Sequence, residues 1–378
     1  MPRNRNEWKE LGERVARARN ASHLNQQELA SKIGIDRTAL TKVESGKRGL
    51  DALELARLAE ILRRPIDWFV VRPSKAAAGR RDARRREVMD DSPADIALED
   101  LARDVGLLQE LGVLAVDKPF YPRKKAKTAK DAEAVAEAFR KHVDIAPGPV
   151  WDLQRVAERV GLYAFSVDLG DDTLDGSYLA AGQRDGVALI NGRTPTGRRR
   201  FTMAHELGHH VFQDPYSAEW VVDLSARSRE KLINAFAIHL LLPGRAASER
   251  WKQLEGNENP RSAAIILAVE FGLSWTAVCS QLSRLGLFAQ RLLRQLELDP
   301  PRRHDYLELG VSVREDLVPP SVPPRFAQAV IKAYKSYKIT KARAVEMLHD
   351  TVEEDDLPAQ GIPRLEALRA EIDPGPAR

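Results

Sequence analysis

The sequence contains a single cysteine, Cys279. A disulfide within the chain is therefore excluded, as is any zinc or iron–sulfur site built on cysteines, and a reducing compartment is expected. Nowhere do 18 apolar residues run together, so no membrane span is expected. The opening MPRNRNEWKE lacks the apolar stretch of a secretory leader. These absences lead to the expectation of a cytoplasmic protein. A large charge of one sign is missing too: the formal net charge is only +4. No internal repeat of fixed period is present.

The distribution of charge is more informative than its sum. Residues 1–72 hold 15 Lys and Arg against 10 Asp and Glu, a net of +5, and the rest of the chain holds 44 against 45, a net of −1. The basic excess thus sits in the first segment, where a phosphate-facing surface needs it. The 378 residues suffice for two or three domains, each with its own core. The expected fold class is mainly α with a small β-sheet, α+β overall.

Five segments follow from pattern and composition. Residues 1–72 show apolar positions at helical spacing (Leu11, Val15, Ala18; Leu53, Leu55, Leu58, Ala59, Leu62) and read as a small all-helical domain. Residues 73–129 read as linker, including the basic run Arg80 to Arg86, around one amphipathic helix over 92–114 capped by Ser92. The apolar stripe of that helix needs a partner, either the body of the protein or a second copy. Residues 130–250 hold two helices, three short strands near 161–167, 176–181 and 186–190, and further helices. Residues 251–355 read as helical, and 356–378 as a frayed tail.

In the first segment, Asn25-Gln26-Gln27-Glu28-Leu29-Ala30-Ser31-Lys32-Ile33-Gly34-Ile35 precedes Asp36-Arg37-Thr38-Ala39-Leu40-Thr41-Lys42-Val43-Glu44-Ser45-Gly46-Lys47-Arg48. This reads as a helix ended by Gly34, a tight turn, and a second helix capped by Asp36 and ended by Gly46. Ala39, Leu40 and Val43 are expected to face a core. Arg37, Thr38, Thr41 and Lys42 then form an exposed face, which is what reading base edges in a major groove requires. Gln27, Lys47 and Arg48 are placed to meet phosphate. A plain helical bundle with a solvated face is the competing reading. The stretch resembles the Cro/repressor (Xre-type) helix-turn-helix family, which implies binding to double-stranded DNA, with a homodimer on paired half-sites as a further expectation.

The central segment contains Phe201-Thr202-Met203-Ala204-His205-Glu206-Leu207-Gly208-His209-His210-Val211-Phe212. On a helix, His205 and His209 project from one face and can share a divalent ion, while Glu206 stands beside them as a general base. Gly208 lets another segment approach closely, and His210 is expected to face away from the metal. The competing reading is a buried helix with two satisfied histidines. A third ligand separates the two readings. Glu230 and Asn234, four apart on a second apolar helix, supply a His-His-Glu set and an outer partner for one histidine. Asp223, Glu219 and His239 are the rival third ligands.

With the later Ala235-Phe236-Ala237 and Leu240-Leu241-Leu242-Pro243, this segment resembles the ImmA/IrrE family of metallopeptidase-like proteins. The resemblance implies a zincin-like fold, one zinc ion on His205, His209 and Glu230, and Glu206 as base. It also implies a metallopeptidase acting on a repressor-type protein. Here a repressor-like domain is fused to the peptidase-like one, a departure that leaves the substrate open. The alternative is a sensor or antitoxin-like DNA-binding protein whose metal domain is structural or ligand-sensing.

Further along, Ala263–Phe271, Gly272, Ser274 and Trp275–Leu285 repeat the helix-turn-helix shape. Arg284 is the second helix's basic group, so packing rather than DNA reading is expected there. Cys279 is expected in a core. Pro323–Leu348 reads as two further helices.

Overall fold

The computed structural model describes residues 5–22, 24–62, 64, 66–70, 93–115, 117–122, 125–169, 175–181, 185–213, 224–256, 258–288, 290–349 and 351–360. The basic run at 80–86, the Ser92 cap and the segment 361–378 lie outside these residues.

Five helices form the N-terminal unit: α1 (Arg5–Ala21), α2 (Gln26–Ile33), α3 (Arg37–Glu44), α4 (Ala52–Ile61) and α5 (Ile66–Val70). Local chemistry fixes their ends. Asn25 and Glu28 form a capping box at the start of α2, and Gly34 ends it at a φ of 78°. Asp36 accepts the Ala39 N–H at 2.7 Å to open α3. Leu29, Ile33, Leu40, Val43, Leu58 and Phe69 fill the core. At Gly12 a Cβ would stand 2.2 Å from the Val43 carbonyl, so α1 crosses the end of α3 in direct backbone contact.

The second unit is organised by a three-stranded sheet. β1 (Leu162–Val167) pairs in parallel with β3 (Gly186–Asn191), and β2 (Gly176–Ala180) pairs antiparallel with the other side of β3, giving the order β1-β3-β2. Alternate side chains serve two different cores. Leu162, Ala164, Ala188 and Ile190 face one, and Tyr163, Phe165, Val187 and Leu189 face the other. Burial on both faces explains why the strands read as continuous apolar runs.

The first face is covered by α7 (Ala129–His142), α8 (Leu153–Arg159), α9 (Thr196–Phe212), α10 (Leu224–Leu241), α11 (Gly244–Glu255), α12 (Pro260–Phe271) and α13 (Trp275–Arg284). α14 (Gln290–Leu298) and α15 (Arg303–Glu308) follow. The second face is covered by α6 (Pro93–Glu110), α16 (Pro324–Lys335) and α17 (Lys341–Met347). The stripe of α6 therefore finds its partner within the body of the protein: Leu98, Leu101, Val105 and Leu108 lie against the sheet. Ile96 of the same helix is buried in the N-terminal core, so α6 belongs to both cores at once.

Between α15 and α16 an extended strap runs back across the molecule. Ser321 and Ser166 exchange backbone hydrogen bonds at 2.9 Å, which adds a bridge to the outer edge of β1. α12 and α13 meet at 112° around Gly272, whose φ is 62°, and Ser274 caps α13. Cys279 is fully buried between them, and burial pushes its thiol up to about 12.

Candidate metal centre and nucleic-acid interface

α9 is a helix with three duties. Met203, Ala204, Leu207 and Val211 enter the core, Thr202 and Glu206 meet β2, and His205 and His209 face α10. Gly208 sits at the crossing, where a Cβ would come 2.9 Å from Ile233 Cγ2 of α10. That close approach brings Glu230 to the histidines.

The two Nε2 atoms of His205 and His209 are 3.2 Å apart. Glu230 Oε2 lies 3.4 Å from His205 Nε2, and its Oε1 lies 3.7 Å from His209 Nε2. All three donors fall within 4.8 Å of one another. Desolvation first, and His205 second, push His209 down to about 3, so it is neutral and its ring can act as a ligand. The Nδ1–H of His205 donates to Asn234 Oδ1 at 3.0 Å, since that oxygen can only accept. This fixes the tautomer that leaves Nε2 free toward the other two donors. Two imidazole nitrogens and a carboxylate converging in this way fit a zinc ion with one position left open. The Glu230 side chain is 50 % exposed, so the centre opens to solvent on that side.

Glu206 is 3 % exposed and lies between α9 and β2. A Cβ on Gly176 would stand 3.2 Å from Glu206 Oε1 and 2.5 Å from Thr202 Cγ2, so the glycine makes the space that the carboxylate occupies. Tyr178 stacks nearly parallel to His209, at 12° with centroids 6.3 Å apart. His210 faces the sheet: Nδ1 is 3.2 Å from the Tyr178 hydroxyl and Nε2 is 3.0 Å from the Val160 carbonyl.

Of the rival ligands, Asp223 and Glu219 lie outside the described residues. His239 faces elsewhere, with Nδ1 at 3.4 Å from Glu133 of α7 and at 3.4 Å from Gln281 of α13.

The start of α9 is anchored by a device that the pattern of residues did not announce. Arg199 donates to Glu315 at 2.6 Å and to the Gly192 carbonyl at 2.7 Å. Arg200, fully buried, pairs with Asp316, donates to the Val150 carbonyl, and donates to the Gly272 carbonyl at 3.0 Å. The guanidinium groups of Arg200 and Arg314 lie over the Trp151 ring, 4.7 and 4.6 Å from its centre. The one sequence signal was the pairing of two adjacent arginines with a distant Glu-Asp, which only the fold connects.

On the N-terminal unit, Gln27, Arg37, Thr38, Thr41, Lys42 and Lys47 are all exposed. The Thr41 hydroxyl donates to the Arg37 carbonyl at 2.9 Å. Arg48 is half-buried and pairs with Glu54 at 2.6 Å, tying the loop after α3 to α4. Gln26, absent from the expected set, bridges α2 and α3 by donating to Glu44 at 2.7 Å.

Residues 15–69 match the family model of the helix-turn-helix, and residues 157–283 match that of the IrrE N-terminal-like domain. The chain thus carries an Xre-like helix-turn-helix domain followed by an IrrE-like domain. It is also similar to a solved structure described as a Mycobacterium tuberculosis transcriptional regulator, at 20 % identity and a TM-score of 0.32. That alignment covers 48 % of this chain and 51 % of the other, so the chain spans about half the length of the structure it matches. No curated protein matches the chain. Among the described residues, no single helix is long and apolar enough to cross a membrane.

Proposed function

We propose that the chain is a transcription regulator whose second domain is a zinc-dependent endopeptidase acting on a repressor-type protein. The observation that carries this reading is the approach of His205, His209 and Glu230 to one point, with Glu206 buried alongside. A bound zinc ion supplies Lewis acidity that brings water into reach as a nucleophile near neutral pH. Glu206 accepts the proton of the attacking water and returns it to the leaving amine. Asn234 holds His205 in register, and β2, at the edge of the sheet, offers backbone groups along which an extended peptide can align.

In the first domain, Arg37, Thr38, Thr41 and Lys42 are assigned to base edges in the major groove, and Gln27 and Lys47 to phosphate. The DNA-binding unit ends near residue 72, and a homodimer places two such units on paired half-sites. The peptidase unit extends beyond residues 130–250, because α6 and the helices up to α17 bury its sheet.

The test compares wild type with Glu206→Gln on the cellular proteome by labelling new N-termini. Cleavage of a helix-turn-helix repressor by wild type alone supports the reading. Equal cleavage by both proteins removes Glu206 as base. No cleavage by zinc-loaded wild type of any cellular protein leaves the chain a metal-binding regulator without peptidase activity.

A further inference from the structure

A cleft of about 1030 Å³ lies between residues 119–122, 125 and 127 on one side and the outer face of α7 on the other. It is separate from the metal centre, and neither family match bears on it, since both lie outside residues 119–142. Its floor is made by Ala134, Val135 and Ala138, short side chains that leave a flat apolar surface. One wall carries Phe120 and Tyr121. Phe120 is held edge-on against Phe139 at 5.4 Å, while Tyr121 is 44 % exposed and offers its ring to the cleft.

The charge at the rim is mainly positive, three lysines against one aspartate. Lys125, Lys127 and Lys141 line the cleft, and among the described residues none of the three stands in an ion pair. The acid of the lining, Asp131, is occupied by the helix start. It accepts the backbone N–H groups of Lys127 and Thr128 at 3.0 and 2.8 Å and the Thr128 hydroxyl at 2.9 Å. These bonds hold its carboxyl below the usual range, and the α7 N-terminus complements its charge. Lys127 also acts on Asp131 through its charge, so the lining carries a net positive charge beside an apolar slot with an open aromatic face.

We propose that this cleft binds an aromatic polyanion of the nucleoside polyphosphate class. The ring stacks on Tyr121 above the alanine floor, and the phosphates meet Lys125, Lys127 and Lys141. The volume is at the upper end for small-molecule pockets, with room for ring, sugar and phosphates together. A single accessible ring fits one base; a nucleic-acid strand calls for a row of them. The inner face of the same helix supports the metal centre: Phe139 meets Phe236 of α10 edge-on at 5.9 Å, and Arg140 donates to the Leu240 carbonyl at 2.5 Å. A ligand seated here is one helix away from Glu230 and Asn234, so occupancy can be read by the domain that carries them.

The experiment titrates the full chain with ATP, tripolyphosphate, adenosine and oligothymidylates, using displacement of an N-methylanthraniloyl ATP probe. ATP is expected to saturate one site, with tripolyphosphate and adenosine each at least tenfold weaker because each lacks one half of the recognition. Tyr121→Ala is expected to weaken ATP about tenfold, Tyr121→Phe to retain it, and Lys127→Ala with Lys141→Ala to weaken it further. Lys42→Ala, on the DNA-facing helix, is expected to leave it unchanged. Unaltered ATP affinity in both cleft variants overturns the proposal, as does the absence of saturable binding. So does loss in Lys42→Ala, or affinity for oligothymidylate that rises with length beyond that for ATP.

Discussion

His205 and Asn234 are joined across two helices by a 3.0 Å hydrogen bond that selects one tautomer of the histidine. Without it the imidazole is free to turn and to present the wrong nitrogen. Asn234→Ala is therefore expected to lower zinc affinity about 10–100-fold while leaving all three ligands in place, and His205→Ala to abolish tight binding. Competition against a chromophoric chelator reads both. Equal affinity in Asn234→Ala and wild type would show that the bond does not organise the site.

Gly176 and Glu206 provide a way to separate metal binding from catalysis. A Cβ on Gly176 collides with Thr202 Cγ2 at 2.5 Å and crowds Glu206 Oε1 and the Leu189 carbonyl, both at 3.2 Å, and none of these three nearest atoms belongs to His205, His209 or Glu230. Gly176→Ala is expected to keep its zinc and lose most hydrolysis. Thr202→Ser removes the colliding methyl, so the double variant is expected to recover part of the rate. A single variant with full activity would show that this space is not needed.

The helix pattern made much of this legible. The cap at Asp36, the helix-ending glycines 34 and 272, and the four-residue spacings of His205 with His209 and of Glu230 with Asn234 are local chemistry, and local chemistry is written in neighbouring residues. The strands were visible because two-sided burial makes them continuously apolar. Other features depend on pairs distant in the chain. Arg200 meets Asp316 only because the strap at 311–322 returns to β1, and Arg48 turns to Glu54 only because α4 packs where it does. The second sheet face was hidden for the same reason. The stripe of α6 showed that a partner was needed, but its identity depended on how β1 and β3 pair.

On α3 Lys42 is exposed, while Arg48, in the loop after it, is engaged with Glu54. Loss of one phosphate or base-edge cation reduces the slope of log affinity against log salt by about one. Arg37→Ala and Lys42→Ala are expected to weaken binding to the operator, and Lys47→Ala to weaken all sequences alike. Arg48→Ala is expected to change affinity little, and to act on thermal stability instead. Mobility shifts at two salt concentrations decide this. A loss for Arg48→Ala as large as that for Lys42→Ala would place its charge on the DNA.

The carboxylate of Glu158 opens α16 from inside the protein. Fully buried, it accepts the N–H groups of Arg325 and Phe326 at 2.8 and 3.0 Å. Burial raises its pKa from 4.5 to about 7, and the two N–H groups only partly oppose that. The folded protein thus holds this proton more tightly than the unfolded chain. The stabilisation is full below 4.5 and is lost as the pH rises through about 7. Denaturation midpoints measured from pH 5 to 8 are expected to fall in wild type and to fall less in Glu158→Gln, which keeps an acceptor oxygen but does not titrate. Glu158→Ala leaves both N–H groups without their acceptor and is expected to lower stability by about 1–3 kcal/mol at every pH. Parallel profiles for wild type and Glu158→Gln would mean that this carboxyl is ionised in the folded protein throughout the range.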